Sequence, residues 1–195
     1  MSKDIIQKSL KDLNKLLTEL YEDNQLIEQY ELFLEKILNA INNGNTIYFC
    51  GNGGSFADSL HLATELVVRF KENRKALNSN VLGSNQCNLT AIGNDFCFDD
   101  IFVRELSALY KEGDIVIILS TSGNSKNIIK VAEYLIKKGT RALAILGKGG
   151  GVLKDLTENI IIPSNETALI QEVTIVLGHS LCAEIDMEFI NNKDK

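Results

Sequence analysis

Apolar residues at spacings of three and four positions predict two helices within residues 1–43. One apolar series starts at Ile6 and the other at Leu26, and a polar stretch at Asp23 separates them. Gly44 follows the second series, where a residue with a left-handed backbone commonly ends a helix. We therefore predict an N-terminal helical hairpin, and we interpret it as a packing or subunit-contact element rather than a direct part of a catalytic site.

Continuous apolar runs alternate with helical patterns through residues 44–190. Runs of this kind are typical of parallel strands whose two faces are both buried. The predicted strands cover residues 46–50, 77–82, 114–120, 141–147 and 159–163, and the clearest predicted helices cover residues 56–70, 126–138 and 165–190. The repetition of strand, loop and helix predicts an α/β fold with a five-stranded parallel sheet flanked by helices. Rossmann dinucleotide-binding folds share this pattern, so it indicates a class of fold and not a function.

The composition fits one soluble globular domain over residues 1–195, because 45% of the residues are hydrophobic and 24% are charged. A formal net charge of −6 without a basic run argues against nucleic acid as a partner, since its phosphates attract clustered lysine and arginine. The N-terminus lacks the apolar core of a signal peptide, and no stretch approaches the roughly 20 apolar residues that span a bilayer, so we expect no membrane. The four cysteines form no CxxC pair, which favours reduced thiols and a cytoplasmic location.

The segment STSGNS, residues 120–125, lies between an apolar run and a predicted helix. In open parallel sheets, ligands bind beyond the carboxyl ends of the strands. Backbone N–H groups at a helix N-terminus attract anions, and the four hydroxyl side chains of the segment add neutral donors. No lysine follows as it does in a nucleotide-binding P-loop, so the segment favours a single phosphate group. The alternative interpretation is that Ser122 or Ser125 only caps the helix.

A second candidate loop is GNGGS, residues 51–55, which follows the predicted strand 46–50. Glycine lets the backbone approach a ligand closely. The spacing is not the GxGxxG of dinucleotide-binding proteins, and no acidic residue ends a clear second strand, so the loop disfavours a dinucleotide. By itself, the same loop is equally compatible with a tight turn.

His61 and Glu65 lie four residues apart on the predicted helix 56–70, so they share one face of it. Such a pair can supply a general base, supply two metal ligands or form a surface pair. His179 is the other of the two histidines and lies in the apolar C-terminal helix, where a histidine is commonly a core or interface residue. Gln171 lies eight positions before His179 and off its face, so a site shared by both would lie between helical turns.

Six motifs, in this order along the chain, resemble those of the phosphoheptose isomerases. They are CGNGGS (50–55), HxxxE (61–65), IGNDFCFDDIF (92–102), STSGNS (120–125), GKGGG (147–151) and IQE (170–172) followed by His179. Each motif is weak alone, but six in register are specific, and the resemblance covers about residues 46–188. It implies the sugar isomerase (SIS) fold and a homotetramer with active sites between subunits. It also implies conversion of sedoheptulose 7-phosphate to D-glycero-D-manno-heptose 7-phosphate, the first step toward heptose in lipopolysaccharide core, capsule or related glycans.

The resemblance also assigns roles to individual residues of this chain. The family's catalytic pair matches Glu65 and His179, which we expect to act as the base on carbon and as the shuttle for the hydroxyl proton. The family's substrate contacts match Asn52, Gly53, Gly54, Ser55, Glu65, Asn94, Asp95, Ser120, Thr121, Ser122, Ser125 and Gln171. Some members bind zinc through residues that match His61, Glu65, Gln171 and His179, so we expect one Zn²⁺ per subunit.

Leu169 departs from the family pattern. Many relatives have TARIQE where this chain has TALIQE at residues 167–172, so a leucine replaces an arginine. We expect this replacement to remove a polar contact near the site and to affect the finer substrate preference.

Other SIS-domain proteins offer two alternatives to this reaction. SIS folds also serve as sugar-phosphate sensors or as protein adaptors, and one relative binds the bacterial replication initiator, but that relative lacks residues matching Glu65 and His179. An isomerase of another phosphosugar, such as arabinose 5-phosphate, usually carries a regulatory domain, for which 195 residues leave no room. The sequence therefore favours an enzyme that acts on a phosphorylated seven-carbon sugar.

Overall fold

The computed structural model describes residues 2–190, so residues 1 and 191–195 of the predicted domain lie outside the described residues. The strands are β1 (Ile47–Gly51), β2 (Ser79–Val81), β3 (Ile115–Ser120), β4 (Leu143–Leu146) and β5 (Glu158–Ile161). The helices are α1 (Ser2–Tyr21), α2 (Asn24–Asn42), α3 (Gly54–Val67), α4 (Gln86–Asp95), α5 (Ile101–Leu109), α6 (Lys126–Lys137), α7 (Leu153–Leu156) and α8 (Thr167–Ile190). Every strand predicted from the apolar runs overlaps one of these five strands.

The five strands form one sheet in the order β2-β1-β3-β4-β5, and each neighbouring pair is parallel. This confirms the predicted five-stranded parallel sheet. From β1 the chain moves to β2 on one side and then returns to place β3 on the other side of β1. The loops that leave β1 and β3 therefore diverge, and the space between them is the topological switch point at which open α/β sheets bind ligands.

Alternate side chains of the strands enter two separate cores. Ile47 and Phe49 of β1 pack in the core that α1, α2, α3 and α8 cover. Tyr48 and Cys50 of the same strand pack in the core on the opposite face, with α5, α6 and α7. Burial on both faces explains why the strands read as continuous apolar runs instead of alternating ones.

The N-terminal hairpin is present as predicted, with α1 and α2 separated at Asp23. The Asp23 side chain accepts a hydrogen bond from the Leu26 N–H at 3.1 Å and so caps α2. Phe33 and Ile37 of α2 are buried in the first core, and α2 packs against β5 and α8. The hairpin therefore covers one face of the sheet.

Residues 83–113, for which the pattern predicts no element, contain α4 and α5. In α4 only Ile92 is buried, so the helix shows no apolar stripe in the sequence. The side chain of Asn85 caps α4 by accepting hydrogen bonds from the N–H groups of Cys87 and Asn88. Local capping and contact with α5 hold this helix rather than burial of an apolar face.

Helix α8 requires a correction to the expectation that no stretch is long and apolar enough to cross a membrane. Among the described residues, this one helix meets that criterion by length and composition. In the fold α8 is a core helix, with Ile170, Val173 and Ile185 buried against the sheet and its neighbours. Its apolar character is accounted for by contacts with α1, α2 and α3.

Candidate active site

Two loops lie at the switch point, one after β1 and one after β3. The first joins Gly51 to the start of α3 at Gly54, and the second joins Ser120 to the start of α6 at Lys126. Each helix begins at the carboxyl end of a strand, so both helix N-termini and their free N–H groups lie at this edge. No side chain caps α3 at Gly53 or α6 at Ser125. The edge is therefore suited to an anion.

A reciprocal amide pair joins the two loops. Asn52 Nδ2 donates to Asn127 Oδ1, and Asn127 Nδ2 donates to Asn52 Oδ1, each at 2.9 Å. Asn127 is buried in the first turn of α6. The pair uses one donor and one acceptor of each amide, so it fixes both side chains in a single orientation. The sequence motifs include Asn52 but gave no sign of Asn127.

The serine loop, residues 120–125, is held by its own backbone and by the loop after β4. Ser120 Oγ accepts a hydrogen bond from the Gly123 N–H at 3.1 Å, and Ser122 Oγ accepts one from the Asn124 N–H at 3.2 Å. Ser125 precedes α6 with an extended backbone, yet its side chain makes no capping hydrogen bond. The interpretation of Ser122 or Ser125 as a mere helix cap is therefore wrong.

The GKGGG segment, residues 147–151, packs against the backbone of the serine loop. A Cβ atom on Gly123, whose φ is +64°, would lie 1.8 Å from the Gly150 carbonyl oxygen, so only glycine fits there. The Asn124 side chain accepts a hydrogen bond from the Val152 N–H at 3.0 Å. These contacts hold the serine loop against residues 150–152.

The glycine loop, residues 51–55, makes a tight turn and also contacts α8. Gly53 has a φ of +56° and stands immediately before α3. A Cβ atom on Gly54 would lie 2.0 Å from Gln171 Nε2, so the glutamine side chain rests directly on the loop backbone. The tight turn and the close approach of a side chain are thus both present, and Ser55 is buried beneath them.

Helices α3 and α8 run side by side in the same direction. Gly54 meets Gln171, and further along Leu62 meets Gly178, where a Cβ atom would lie 2.6 Å from the leucine. The absence of a side chain at Gly178 allows this close helix contact. Because Gln171 and His179 are about 12 Å apart along the axis of α8, they face opposite ends of the same stretch of α3.

His61, Glu65 and His179 form a cluster where α3 and α8 meet. The Nε2 atoms of His61 and His179 are 2.7 Å apart, and Glu65 Oε1 lies 3.7 Å from His61 Nε2. The His61 side chain is 47% exposed and that of Glu65 is 19% exposed. Phe70 stacks on the His179 ring, with centroids 5.1 Å apart and planes 25° apart. Two imidazoles and a carboxylate at this spacing can exchange protons with a ligand above them.

The same cluster has the donor types that zinc prefers, namely imidazole nitrogen and carboxylate oxygen. A tetrahedral zinc ion with bonds of about 2.0–2.1 Å would hold two nitrogen atoms about 3.3 Å apart, which is more than the 2.7 Å between His61 and His179. Among residues 2–190, no group of three His, Cys, Asp or Glu side chains is assembled closely enough to hold a metal. The donors fit zinc in kind, and the two nitrogen atoms would have to move apart by about 0.6 Å to bind the same ion. Gln171 lies against Gly54 instead of beside the two histidines.

Asn94 and Asp95 are the last two residues of α4, and both are exposed. The Asn94 amide donates a hydrogen bond to Asp95 Oδ1 at 2.8 Å, and within the described residues neither side chain is hydrogen-bonded to the two loops. A cleft of about 200 Å³ separates α4 from the glycine loop, with Phe56, Leu89 and Phe98 among its walls. Neither Asn94 nor Asp95 is among the residues that line this cleft.

Leu169 and Asp58 complete the surroundings of the site. Leu169 is half-buried and makes an apolar contact with the first core. Asp58 lies one turn before His61 on α3, and its Oδ2 atom is buried without a hydrogen-bond partner among the described residues. Burial raises the pKa of Asp58, although the neighbouring His61 acts in the opposite direction.

Comparison with known proteins agrees with this geometry. The sequence model of the SIS domain matches residues 10–147. The phosphoheptose isomerase of a Nitratiruptor species is 40% identical over 187 residues, which make up 94% of this chain and 98% of that protein. The structure of a phosphoheptose isomerase from Francisella tularensis has a TM-score of 0.88 at 29% identity and covers 96% of this chain and 99% of the other. The structure of the phosphoheptose isomerase from Neisseria gonorrhoeae has a TM-score of 0.86 at 32% identity, over 96% and 100% of the two chains.

These matches extend over nearly the full length of each relative, and they include both the N-terminal helices and the sheet with its switch-point loops. The candidate site lies within the matched region. The chain therefore belongs to the phosphoheptose isomerase family of SIS-domain enzymes.

Proposed function

We propose that this enzyme interconverts sedoheptulose 7-phosphate and D-glycero-D-manno-heptose 7-phosphate through a cis-enediol(ate), as the first step toward heptose in bacterial lipopolysaccharide core, capsule or related glycans. The observation that carries the proposal is the cluster of Glu65, His61 and His179 on α3 and α8, since α3 starts at the anion-binding edge. A non-catalytic sugar-phosphate sensor or adaptor would have no use for a carboxylate and two imidazoles in contact.

The isomerisation moves a proton between adjacent carbons, so it needs a base on carbon and an acid–base group on oxygen. Glu65 is the base, because it is the partly buried carboxylate of the cluster. His179 transfers the proton between the hydroxyl and carbonyl oxygens, since an imidazole can donate and accept near neutral pH. Phe70 stacks on the His179 ring and limits its rotation. His61 lies within reach of both groups.

The phosphate of the substrate binds at the serine loop, residues 120–125. The hydroxyl groups of Thr121, Ser122 and Ser125 and the start of α6 supply neutral donors and backbone N–H groups for its oxygens. Asn52, Gly53 and the rest of the glycine loop line the path from that end of the sugar to Glu65. Binding of the remote phosphate then orients the reacting carbons, which lowers the entropic part of the barrier.

Zinc is part of the proposal, one ion per subunit. His61, Glu65 and His179 would hold it, and Gln171 would complete the set once its side chain turns away from Gly54. A bound Zn²⁺ polarises a carbonyl oxygen and stabilises the negative charge that develops there. Glu65 cannot serve fully as a ligand and as a base at the same time, so metal content and base strength are coupled.

The proposal also includes a homotetramer with active sites between subunits. Apolar residues stay exposed on α1, where Ile6 and Leu10 are 55% and 59% exposed, and beside the site, where Val68 and Val176 are 60% and 48% exposed. Association would remove this apolar area from water. All four cysteines are free, in keeping with a cytoplasmic location.

Replacement of Glu65 by glutamine tests the function itself. The parent protein, incubated with sedoheptulose 7-phosphate, should generate an anomeric proton signal of the aldose in NMR spectra. Glu65→Gln should lower kcat by about 10²–10⁴ because general base catalysis is typically of that size. Glu133→Gln, on the exposed face of α6, is the matched control and should keep parental turnover. A folded Glu65→Gln variant that turns over like the parent would exclude Glu65 as the base.

Removal of two hydroxyl groups tests the phosphate site. The Ser122→Ala/Ser125→Ala variant should raise KM and abolish most of the competitive inhibition by inorganic phosphate. Its melting temperature should fall little, because neither serine caps α6. Ser107→Ala on the exposed face of α5 serves as the control. If inorganic phosphate inhibits the double variant and the Ser107→Ala control equally, the phosphate group binds elsewhere.

Metal content and activity together test the zinc proposal. Purified protein should carry substoichiometric zinc by mass spectrometry, and exhaustive chelation should reversibly lower activity. His61→Ala should bind zinc more weakly, whereas Cys97→Ser, which removes an exposed thiol, should not. If His61→Ala and the chelated parent both keep full activity, the metal has no part in the reaction and Glu65 and His179 act alone.

Light scattering tests the tetramer. The expected mass is about four times the 21.6 kDa of one chain. Because the proposed sites lie between subunits, specific activity should fall on dilution in step with dissociation. A stable and fully active monomer would refute this part of the proposal.

A further inference from the structure

Arg74 occupies an unusual place, because its charged side chain is entirely removed from solvent. Nε donates to Asp186 Oδ1 at 2.6 Å. Nη1 donates to the carbonyl oxygens of Leu66 at 2.8 Å and Lys75 at 3.0 Å, and Nη2 donates to the carbonyl oxygen of Glu65 at 2.7 Å. Four donors of one guanidinium are therefore satisfied by fixed acceptors.

Two of these acceptors belong to the last turn of α3. The carbonyl groups of Glu65 and Leu66 lie near the end of the helix at Val67, where the last carbonyl groups have no N–H partner within the helix. A cation at a helix C-terminus also interacts favourably with the helix dipole. The Arg74 side chain therefore caps the C-terminus of α3. It also fixes the backbone of Glu65, the residue that we identify as the base.

Asp186 lies on α8, two turns beyond His179, and its side chain is 2% exposed. Its Oδ2 atom accepts hydrogen bonds from the N–H groups of Lys71 at 2.8 Å and Glu72 at 3.1 Å. Burial opposes ionisation, but those two N–H groups and the Arg74 guanidinium outweigh it, so the pKa of Asp186 lies below its ordinary value. The carboxylate is therefore the charged partner that a buried guanidinium requires.

The segment that Asp186 fixes carries Phe70 immediately before Lys71. Phe70 is the side chain that stacks on His179. One ion pair therefore contacts the backbone of Glu65, holds the segment that places Phe70 on His179, and anchors to the helix that carries His179. No other buried ion pair is found among the described residues.

We propose that Arg74 and Asp186 are positioning residues for the isomerisation: together they set the distance and orientation between Glu65 and His179. The assignment rests on the proposed roles of those two side chains. The pair touches backbone and Phe70's segment rather than the substrate, so it acts through Glu65 and His179. Fixing α3 to α8 by apolar contacts alone would leave rotation of each helix less constrained, because apolar contacts are not directional.

Arginine is required in this role and lysine cannot replace it. The planar guanidinium presents donors toward Asp186 and toward two carbonyl groups at once, whereas an ammonium group is a compact point charge. Arg74→Lys therefore keeps the buried positive charge but cannot donate to Asp186 and to both carbonyl groups of α3 at the same time. Asp186→Asn removes the charge and keeps an oxygen for the Lys71 and Glu72 N–H groups. Val131→Ala, in the opposite core on α6, is a destabilising control that contacts none of these residues.

Steady-state kinetics, at a temperature where each variant is folded by circular dichroism, gives the first test. Arg74→Lys and Asp186→Asn should lower kcat about 10- to 100-fold, because a misplacement of about 1 Å costs that much. KM and inhibition by inorganic phosphate should change less than about twofold, since the serine loop is remote from the pair. Val131→Ala should keep kcat within about twofold of the parent at a comparable loss of melting temperature. If kcat follows melting temperature alike in all three variants, the pair is structural only and the proposal is overturned.

The two histidine rings give a second test that needs no substrate. Their ring protons form just two sets of NMR signals, because the chain has only His61 and His179. Stacking on Phe70 shields the His179 ring in the parent, and this shielding should be lost in Arg74→Lys and Asp186→Asn but kept in Val131→Ala. Unchanged His179 signals in both variants would overturn the proposal. If the parent itself does not convert sedoheptulose 7-phosphate, the proposed function fails and these spectra alone decide the positioning role. If Arg74→Lys does not fold, Asp186→Asn decides both tests.

Discussion

The reversal of strand order between β1 and β3 is the constraint on which the rest of the molecule depends. It sends α3 to one face of the sheet and α6 to the other, so two helix N-termini open onto one edge without a side chain to cap either. Two uncapped N-termini attract an anion and are left available to it. The cluster of His61, Glu65 and His179 lies along the first of these helices, so the start of α3 also sets its distance from this edge of the sheet.

The acid–base cluster depends in turn on how α8 lies against α3. The two helices run in the same direction, and Gly54 and Gly178 let them approach closely at two points. Gln171 and His179 lie eight residues apart and on different faces of α8, so they cannot contact the same point of a neighbouring helix. The parallel alignment of α3 and α8 lets each of them contact α3 at a separate point. Each contacts a different end of α3: Gln171 lies against the glycine loop, and His179 lies against His61 two turns further on.

Local patterns in the sequence predicted most of the fold, and long-range side-chain pairs account for most of what they missed. The strands were predictable because burial on both faces makes them apolar throughout, as in β3. Helix α4 was not, because a helix held by a cap and one buried residue has no periodic signal. The apolar run predicted that the serine loop follows a strand, and the four-residue spacing predicted that His61 and Glu65 share one face of a helix, as the structure shows. Asn127 lies 75 residues from its partner Asn52 and Asp186 lies 112 residues from its partner Arg74, and spacing along the chain carries no information about such pairs.

The amide pair between Asn52 and Asn127 has a consequence for the chemical lifetime of the protein. Asn52 is followed by Gly53, and an asparagine before a glycine is the asparagine most readily hydrolysed, because glycine does not shield the backbone nitrogen that attacks the side chain. Hydrolysis would turn the Asn52 amide nitrogen into a carboxylate oxygen, which has no hydrogen to donate and would face the oxygen of Asn127. One of the two hydrogen bonds between the loop after β1 and α6 would then be lost, while Asn127 Nδ2 could still donate to residue 52. A chemical change at a single amide would thus weaken the link between the two loops at the switch point and leave the rest of the fold as it is.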